Sequence, residues 1–257
     1  MSAAVLAGKR AVITGGGRGI GAAVARALAD AGVGVLVAAR SHAEVEAVAN
    51  SLRAQGHRAS AATADVTRPE SVNALARTAA EVLGDIDILI NNAGASSSAP
   101  LKRTTLEEWN RLLAVNATST FLCTQAFLPG MLDRKWGRVV NLASVAGLFG
   151  AKYIAAYSAA KHAVVGFTKS MAAEVAGSGV TVNAVCPGYV DTPMTDQSLE
   201  RMMQTTARSR AEALEAVLAH SGQSRLITPD EVARAVMAVC NGSETGATVL
   251  LDGKGPA

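Results

Sequence analysis

Tyr157 and Lys161 lie four residues apart, and Ser144 precedes the tyrosine by thirteen residues. On a helix, positions four apart share a face, so a phenol and an ammonium can point into one site. A neighbouring ammonium favours the phenolate and lowers a pKa that is ordinarily about 10. With a serine hydroxyl to hold a carbonyl oxygen, these groups could move a proton to or from an oxygen bonded to carbon.

The same pair has an ordinary alternative, in which a half-buried tyrosine lies beside a solvated lysine on a surface helix. Of the three tyrosines in the chain, only Tyr157 has a lysine four residues on. The proton-transfer interpretation therefore depends on whether the rest of the chain supplies a hydride donor.

A glycine-rich segment, Val12-Ile-Thr-Gly-Gly-Gly-Arg-Gly-Ile-Gly21, joins the first predicted strand to the first predicted helix. Glycines allow a tight turn and let backbone N–H groups approach a phosphate at a helix N-terminus. The spacing departs from the usual G-x-G-x-x-G, and its position between strand and helix is what favours a dinucleotide site. A purely structural glycine turn is the alternative. The candidate cofactor-binding residues in this loop are Gly15, Gly17, Arg18, Gly19, Ile20 and Gly21.

The end of the second predicted strand discriminates between cofactors. An NAD site usually places Asp or Glu there to hold the ribose 2′-hydroxyl, whereas this strand ends in Val37-Ala-Ala-Arg40-Ser41. A guanidinium at Arg40, joined by Arg18, suits a 2′-phosphate. With Ser41 beside it, this pattern predicts NADP(H) over NAD(H), unless Arg40 is a solvated loop residue.

Composition limits the function classes. The chain has 257 residues, of which 49% are hydrophobic and 18% charged, which suits one domain over 1–257 with a substantial core. The net charge of +3, without a block of basic residues, predicts no nucleic-acid partner. The histidines show no metal-ligand spacing, so no catalytic metal is predicted; these are His42, His57, His162 and His220, of which His162 reads as structural.

Cysteine usage and the N-terminus bear on location. Cys123, Cys186 and Cys240 form neither a CxxC motif nor a disulfide framework, which indicates small core residues in a reducing compartment. The N-terminus lacks the apolar core of a secretion signal, and no apolar run approaches the roughly 18 residues that span a bilayer. We therefore expect a soluble cytoplasmic protein without a membrane partner.

Short β-branched runs alternate with longer amphipathic stretches along the chain. The runs are continuously apolar, as in strands covered on both faces. The pattern predicts an α/β fold, a doubly wound, Rossmann-like parallel sheet of about seven strands with helices on both faces. The predicted strands are Ala11–Thr14, Val33–Ala39, Ala59–Ala64, Ile86–Ile90, Arg138–Leu142, Val180–Val185 and Thr248–Leu251. The predicted helices cover 19–31, 43–55, 69–83, 105–130, 154–177 and 229–240.

Local signals refine three of these helices. Thr67-Arg-Pro-Glu70 and Thr228-Pro-Asp-Glu231 each combine a capping threonine with a proline in the first turn. Asn116 falls inside the predicted helix 105–130, where asparagine is unfavourable because its amide competes for backbone hydrogen bonds. Its placement indicates a function and a local kink.

Residues 189–225 break the alternation, being polar and methionine-rich with helical propensity and no predicted strand. In doubly wound sheets, ligands bind outside the carboxyl ends of the strands. Because this segment follows such a strand end, it is a candidate substrate loop. A surface helical excursion is the alternative.

The chain closely resembles the short-chain dehydrogenase/reductase family over nearly its whole length. The resemblance lies in the order and spacing of the glycine-rich segment, Asn116, Ser144, Tyr157 and Lys161. The resemblance implies that Tyr157 is the general acid/base and that Ser144 binds and polarises the carbonyl oxygen. It implies that Lys161 lowers the tyrosine pKa and binds the nicotinamide ribose, and that Asn116 holds a water in a proton relay to Lys161. Further expected cofactor-binding residues are Asp65 toward the adenine, Val66, Asn92, Ala93, Gly94, Pro187, Gly188, Val190 and, toward the carboxamide, Thr192.

Within the family, the residues 157–169 and 182–194 resemble 3-oxoacyl reductases and bacterial aromatic-polyketide ketoreductases. Carrier-binding reductases usually have an arginine where this chain has Ala173, although the other docking position, Lys135, is basic. The resemblance implies an NADPH-dependent reductase acting on a ketone or 3-oxoacyl thioester, with CoA esters and free ketones left open. The alternatives are a degradative 3-hydroxyacyl or secondary-alcohol dehydrogenase and a catalytically silent NADP-binding sensor. A homo-oligomer, dimer or tetramer, is expected through the helices near 105–130 and 154–177.

Overall fold

Seven parallel strands form one sheet in the order β3-β2-β1-β4-β5-β6-β7. The computed structural model describes residues 6–254, so residues 1–5 and 255–257 of the predicted domain lie outside the described residues. Strand order reverses between β1 and β4, and this reversal opens a crevice at the carboxyl ends. The strands are β1 Arg10–Thr14, β2 Gly34–Ala39, β3 Ala59–Thr63, β4 Ile88–Asn91, β5 Gly137–Leu142, β6 Val180–Pro187 and β7 Thr248–Leu251.

Helices cover both faces of this sheet because the central strands are apolar on both sides. Alternate residues of β1 separate the two cores, with Ile13 packed on one face of the sheet and Val12 on the other. The doubly wound architecture is thereby confirmed. The helices are α1 Gly19–Asp30, α2 His42–Ala54, α3 Pro69–Leu83, α4 Leu106–Leu113, α5 Ser119–Asp133, α6 Ala155–Glu174, α7 Pro193–Thr206, α8 Arg210–Ser221 and α9 Pro229–Asn241.

The predicted helix 105–130 is two helices. A π-helical turn at Ala114–Thr118 separates α4 from α5, and Asn116 lies within it. The predicted helix is thus interrupted at Asn116, and π-turns of this kind occur frequently at functional sites. Every predicted strand lies within two residues of the observed one.

The two capping predictions had different outcomes. Thr228 caps α9 in a reciprocal capping box with Glu231, as its sequence predicts. The prediction for Thr67 is wrong, because the residue before α3 is Arg68 and makes no side-chain cap. The Thr67 hydroxyl instead donates to Asp65 Oδ1 at 2.7 Å.

The segment 189–225 folds back on itself as α7 and α8. Its two ends meet in a parallel bridge between Val190 and Ile227. An apolar cluster centred on Leu199 and Val217 holds the two helices together, with Tyr189 packed against it. The segment therefore forms a helical hairpin attached beyond the carboxyl end of β6.

Some whole-chain properties hold for the residues that the structure describes. The three cysteines are buried and unpaired, as their predicted role in the core requires. No helix between residues 6 and 254 combines the length and apolar character needed to cross a bilayer. Over the same range, no group of three or more His, Cys, Asp or Glu side chains is arranged to hold a metal ion.

Candidate active site

Ser144 lies just beyond the carboxyl end of β5 and is almost fully buried. Its Oγ accepts a hydrogen bond from the Ala146 amide at 3.1 Å, which caps a short 3₁₀ turn at Val145–Gly147. That turn packs on α6 so closely that a Cβ at Gly147 would come within 2.6 Å of the Lys161 carbonyl oxygen. The turn therefore fixes the serine against the helix that carries the tyrosine and lysine.

Tyr157 retains its proton in this environment. Burial raises the pKa of its phenol to about 12, although a hydrogen bond with Ser144 lowers it in part. Burial thus sets the direction of the shift, and the expectation that Lys161 lowers this pKa stays a prediction. The Lys161 Nζ lies 5.9 Å from the Tyr157 ring centroid and donates to the Leu142 carbonyl oxygen at 2.7 Å. The ammonium is therefore bonded to the backbone and lies on the side of the tyrosine ring.

Lys161 is itself an unusually placed cation, with 5% of its surface exposed. Burial lowers the pKa of its ammonium to about 8. The neighbouring Cys186 does not neutralise it, because burial raises the pKa of that thiol to about 11. Lys161 thus titrates close to physiological pH.

Asn116 faces Lys161 across Gly94. A Cβ at Gly94 would lie 2.7 Å from Asn116 Oδ1 and 3.6 Å from Lys161 Nζ, so glycine allows both side chains to approach the loop. The Asn116 amide group donates to the carbonyl oxygens of Leu112 and Ala95, both at 2.9 Å. Its Oδ1 accepts from the Ala95 amide at 3.3 Å. These bonds tie the π-turn to the loop after β4, and the water-holding role of Asn116 stays a prediction.

The glycine loop has the shape of a phosphate cradle. Gly15 and Gly19 adopt positive φ angles of 65° and 53°, and a Cβ at Gly21 would lie 2.3 Å from the Gly15 carbonyl oxygen. Gly17 packs on α2, and Ile20 lies in the first turn of α1. Arg18 precedes α1 without a side-chain cap, and the first turn of that helix contains no acidic residue. This arrangement leaves a helix N-terminus suited to the diphosphate of a dinucleotide.

The predicted cofactor-discriminating residues surround a carboxylate that the sequence left unassigned. Arg18 Nη1 lies 3.2 Å from Glu44 Oε1 in an exposed ion pair. Ser41 caps α2 by accepting from the Glu44 amide. Arg40 lies exposed just after β2. Two guanidinium groups and one carboxylate therefore border the crevice here.

The loop after β4 is fastened directly to the glycine loop. The Asn92 side chain donates to the carbonyl oxygens of Thr14 and Gly15 at 2.9 and 3.0 Å. The amides of Asn92 and Ala93 both donate to Thr14 Oγ1. Asn92 therefore positions the cradle through its side chain, and Thr14 joins the site from outside the predicted set.

Asp65 lies at the carboxyl end of the sheet, just after β3. Its Oδ1 accepts from both the amide and the hydroxyl of Thr67, which holds the pKa of the carboxyl below its usual range. Val66 is buried in the core. Contact of Asp65 with an adenine stays a prediction.

The residues after β6 span the crevice. Pro187 ends the strand, and Thr192 precedes α7 with its Oγ1 donating to the Val190 carbonyl oxygen at 3.3 Å. A Cβ at Gly19 would lie 3.2 Å from Thr192 Cγ2, so this segment reaches the glycine loop. Val190 points its side chain into the core and leaves only its backbone for a ligand.

A pocket of about 230 Å³ adjoins the start of α6, one turn before Tyr157. It lies between the loop after β4, α4 and α7. Arg201 of α7 bridges it by donating to Ser97 Oγ at 3.2 Å. On its floor, a hydrogen bond from Arg111 helps to lower the pKa of Glu108 to about 2. Sequence patterns did not single out Arg201, Ser97 or Glu108, because they come together only through the fold.

The sequence of this chain is similar to those of known dehydrogenases and reductases. The short chain dehydrogenase family model matches residues 9–203. A 3-oxoacyl-[acyl-carrier-protein] reductase of Synechocystis is 40% identical over 245 residues, covering 95% of each chain. A D-beta-hydroxybutyrate dehydrogenase of Cupriavidus necator is 38% identical over 229 residues, covering 89% of each.

A solved structure has the same fold. A point variant of actinorhodin polyketide ketoreductase, determined with NADPH, superposes with a TM-score of 0.90 at 36% identity, over 95% of this chain and 96% of that one. The fold and the sequence therefore agree. The chain belongs to the short-chain dehydrogenase/reductase family and is an oxidoreductase of carbonyl and hydroxyl groups.

Proposed function

We propose that this protein is an NADPH-dependent carbonyl reductase acting on a ketone or a 3-oxoacyl thioester. The observation that carries the proposal is the convergence of Ser144, Tyr157 and Lys161 beside a glycine cradle at the carboxyl edge of the sheet. The relatives support the substrate class, since a 3-oxoacyl reductase and a polyketide ketoreductase are among them.

The chain's own groups account for the proton chemistry. Bound NADPH supplies the hydride. The Ser144 hydroxyl hydrogen-bonds the carbonyl oxygen, and Tyr157, neutral with a pKa of about 12, donates a proton to the developing alkoxide. Such general-acid catalysis contributes about 10²–10⁴-fold to the rate. Lys161 holds a positive charge below pH 8, where it stabilises the tyrosinate that remains.

The cofactor preference rests on Arg18 and Arg40. A guanidinium binds a phosphate with charge-assisted, often bidentate, hydrogen bonds, and β2 ends without a carboxylate. Glu44 reduces the positive field beside Arg18, and the Asp65 carboxylate interacts with the charge of Arg40. Both guanidinium groups are exposed and can turn toward a phosphate. We therefore expect NADPH to be used in preference to NADH.

The test is a substrate panel with purified enzyme. Acetoacetyl-CoA, a carrier-bound 3-oxoacyl thioester and simple ketones are each assayed with NADPH and with NADH. The proposal requires that kcat/KM with NADPH exceed that with NADH for at least one substrate. Tyr157→Phe should still bind NADPH yet lose nearly all turnover. Preference for NADH, or a phenylalanine variant that keeps most of its activity, refutes the assignment.

Oxidation of a 3-hydroxy acid is the second candidate, favoured by the D-beta-hydroxybutyrate dehydrogenase relative. The same residues serve this direction, with Tyr157 as the base. It is distinguished by assaying 3-hydroxybutyrate with NAD and NADP in the same panel. If kcat/KM for oxidation of 3-hydroxybutyrate exceeds kcat/KM for reduction of every carbonyl substrate, the dehydrogenase function is favoured.

A further inference from the structure

Gln223 is buried where the segment 189–225 returns to the body of the protein, with 7% of its surface exposed. It lies two residues beyond the end of α8. Its side-chain amide is placed against the turn that follows β6, 34 residues earlier in the chain. A buried amide is costly unless each of its polar groups finds a partner.

The amide finds these partners on both backbone groups of Tyr189. Gln223 Oε1 accepts from the Tyr189 amide at 2.7 Å, and Nε2 donates to the Tyr189 carbonyl oxygen at 3.1 Å. Nε2 also donates to the Arg225 carbonyl oxygen at 3.2 Å. The side chain therefore pairs with Tyr189 as a neighbouring strand residue would, and it extends the Val190–Ile227 bridge by one step.

Two glycines make room for this amide. A Cβ at Gly188 would lie 2.4 Å from Gln223 Oε1, and one at Gly253 would lie 2.9 Å from Nε2. The Gly188 amide also donates to the Leu251 carbonyl oxygen at 2.9 Å. Gln223 thus joins the turn after β6, the end of the helical hairpin and the C-terminal tail.

The turn it holds spans the crevice between the two halves of the site. At one end, Cys186 lies against Ser144 and Lys161. At the other end, Thr192 lies over Gly19 of the glycine loop. A dinucleotide with its diphosphate on the glycine loop would have to bring its reacting nicotinamide half past this turn to reach Tyr157. Its adenosine half would lie on the opposite side of the loop, toward Arg40.

We infer that Gln223 is a positioning residue that sets the turn Gly188–Thr192 against the nicotinamide half of the cofactor. The inference rests on the proposed NADP(H) specificity. Loss of the Gln223 bonds frees the turn to shift, which weakens contacts with the nicotinamide half and leaves those with the adenosine half intact.

Equilibrium titration of two ligands tests this. NADPH engages both halves of the site, whereas adenosine 2′,5′-bisphosphate engages only the glycine loop and Arg40 side. Gln223→Met keeps the unbranched shape and removes the hydrogen bonds. The variant loses three hydrogen bonds, so NADPH binding must then order the turn. We expect its Kd for NADPH to rise about tenfold, with the Kd for the bisphosphate changed less than about twofold. Gln204→Met, at an exposed position of α7, is the matched control and should change neither.

A second variant separates positioning from folding. Gln223→Glu keeps the side-chain length and the bond from the Tyr189 amide, but it faces the Tyr189 carbonyl oxygen with a carboxylate. We therefore expect it to weaken NADPH binding and to leave binding of the bisphosphate unchanged. The inference is overturned if the variants weaken the binding of both ligands equally, if they weaken the binding of neither, or if both variants fail to fold. If the wild-type protein itself does not bind NADPH, the proposed function fails instead.

Discussion

At the scale of single residues, burial sets the chemistry of this site more than charge pairing does. The pKa of the Tyr157 phenol is raised and that of the Lys161 ammonium is lowered, because burial removes water from the charged form of each group. The result is a neutral acid beside a lysine that titrates near pH 8. The proposed proton donor, Tyr157, therefore stays protonated throughout the physiological range.

These shifts predict the alkaline side of the pH profile for carbonyl reduction. Tyr157 stays protonated up to a pKa of about 12, so it does not limit the rate below pH 10. Lys161, whose pKa burial lowers to about 8, loses its charge above that pH, and the tyrosinate left by proton transfer then loses its stabilising cation. We expect kcat/KM to fall above pH 8 with a single ionisation, measured under NADPH saturation.

A Lys161→Arg variant tests whether the Lys161 ammonium causes the fall in kcat/KM above pH 8. Lys161→Arg stays charged at every accessible pH, so it should be slower but should lack the fall above pH 8. Lys169→Arg, at an exposed position of the same helix, should keep the wild-type profile. A wild-type profile that is flat to pH 10, or the same fall in Lys161→Arg, contradicts the role given to Lys161.

At the scale of elements, the π-turn between α4 and α5 connects the fold to the site. Asn116 is 1% exposed, and its amide bonds join that turn to the loop carrying Gly94. Removal of the amide leaves the half-buried Ala95 backbone groups without these partners. The loop then no longer holds its place beside Lys161.

Asn116→Ala should therefore lower both stability and turnover. The loss of two to three buried hydrogen bonds costs about 2–3 kcal/mol, which corresponds to a fall in Tm of about 5–10 °C for a chain of this size. Thermal unfolding by circular dichroism measures the first effect, and kcat with NADPH the second. Asn110→Ala, exposed in α4, is the control. A Tm within about 2 °C of the wild type would show that the bonds contribute little.

The elements differ in how far their sequence specifies them. Apolar runs and the capping box at Thr228 are local, so the strands and the start of α9 could be predicted. The cap at Thr67 failed because Asp65, two residues away, competes for its hydroxyl. Local pattern placed Tyr157 and Lys161 on one helix but could not give their burial.

Contacts distant in sequence set the remaining geometry. Thr14 bonds Asn92 78 residues later, and Gln223 bonds Tyr189 34 residues earlier. No periodicity or motif encodes such pairs, because each depends on the order of strands in the sheet and the crossing of two loops. The same holds for Glu44, whose carboxylate reaches Arg18 only once α2 packs on the glycine loop.

At the scale of the whole molecule, exposed apolar side chains on β7 and on α5 mark two surfaces that could pair with a second copy. β7 lies at the edge of the sheet, with Leu250 45% exposed. Phe121 of α5 is 44% exposed and meets Phe167 of α6 edge to face, with ring centroids 6.3 Å apart. Exposed edge strands and aromatic helix faces are surfaces that a second copy can cover across a two-fold axis. We therefore expect a dimer that uses one of these surfaces or a tetramer that uses both.

Light scattering coupled to size-exclusion chromatography tests this expectation, with species appearing as multiples of 26.1 kDa. Phe121→Glu and Leu250→Lys each place a charge in an apolar interface, which should lower the mass of a tetramer to that of a dimer, and the double variant should approach the monomer. Val82→Lys, at another exposed apolar position, on α3, should leave the mass unchanged. A monomeric wild type, or an assembly that survives both charges, would mean that these surfaces do not pair; an assembly broken equally by Val82→Lys would instead attribute the loss to added charge.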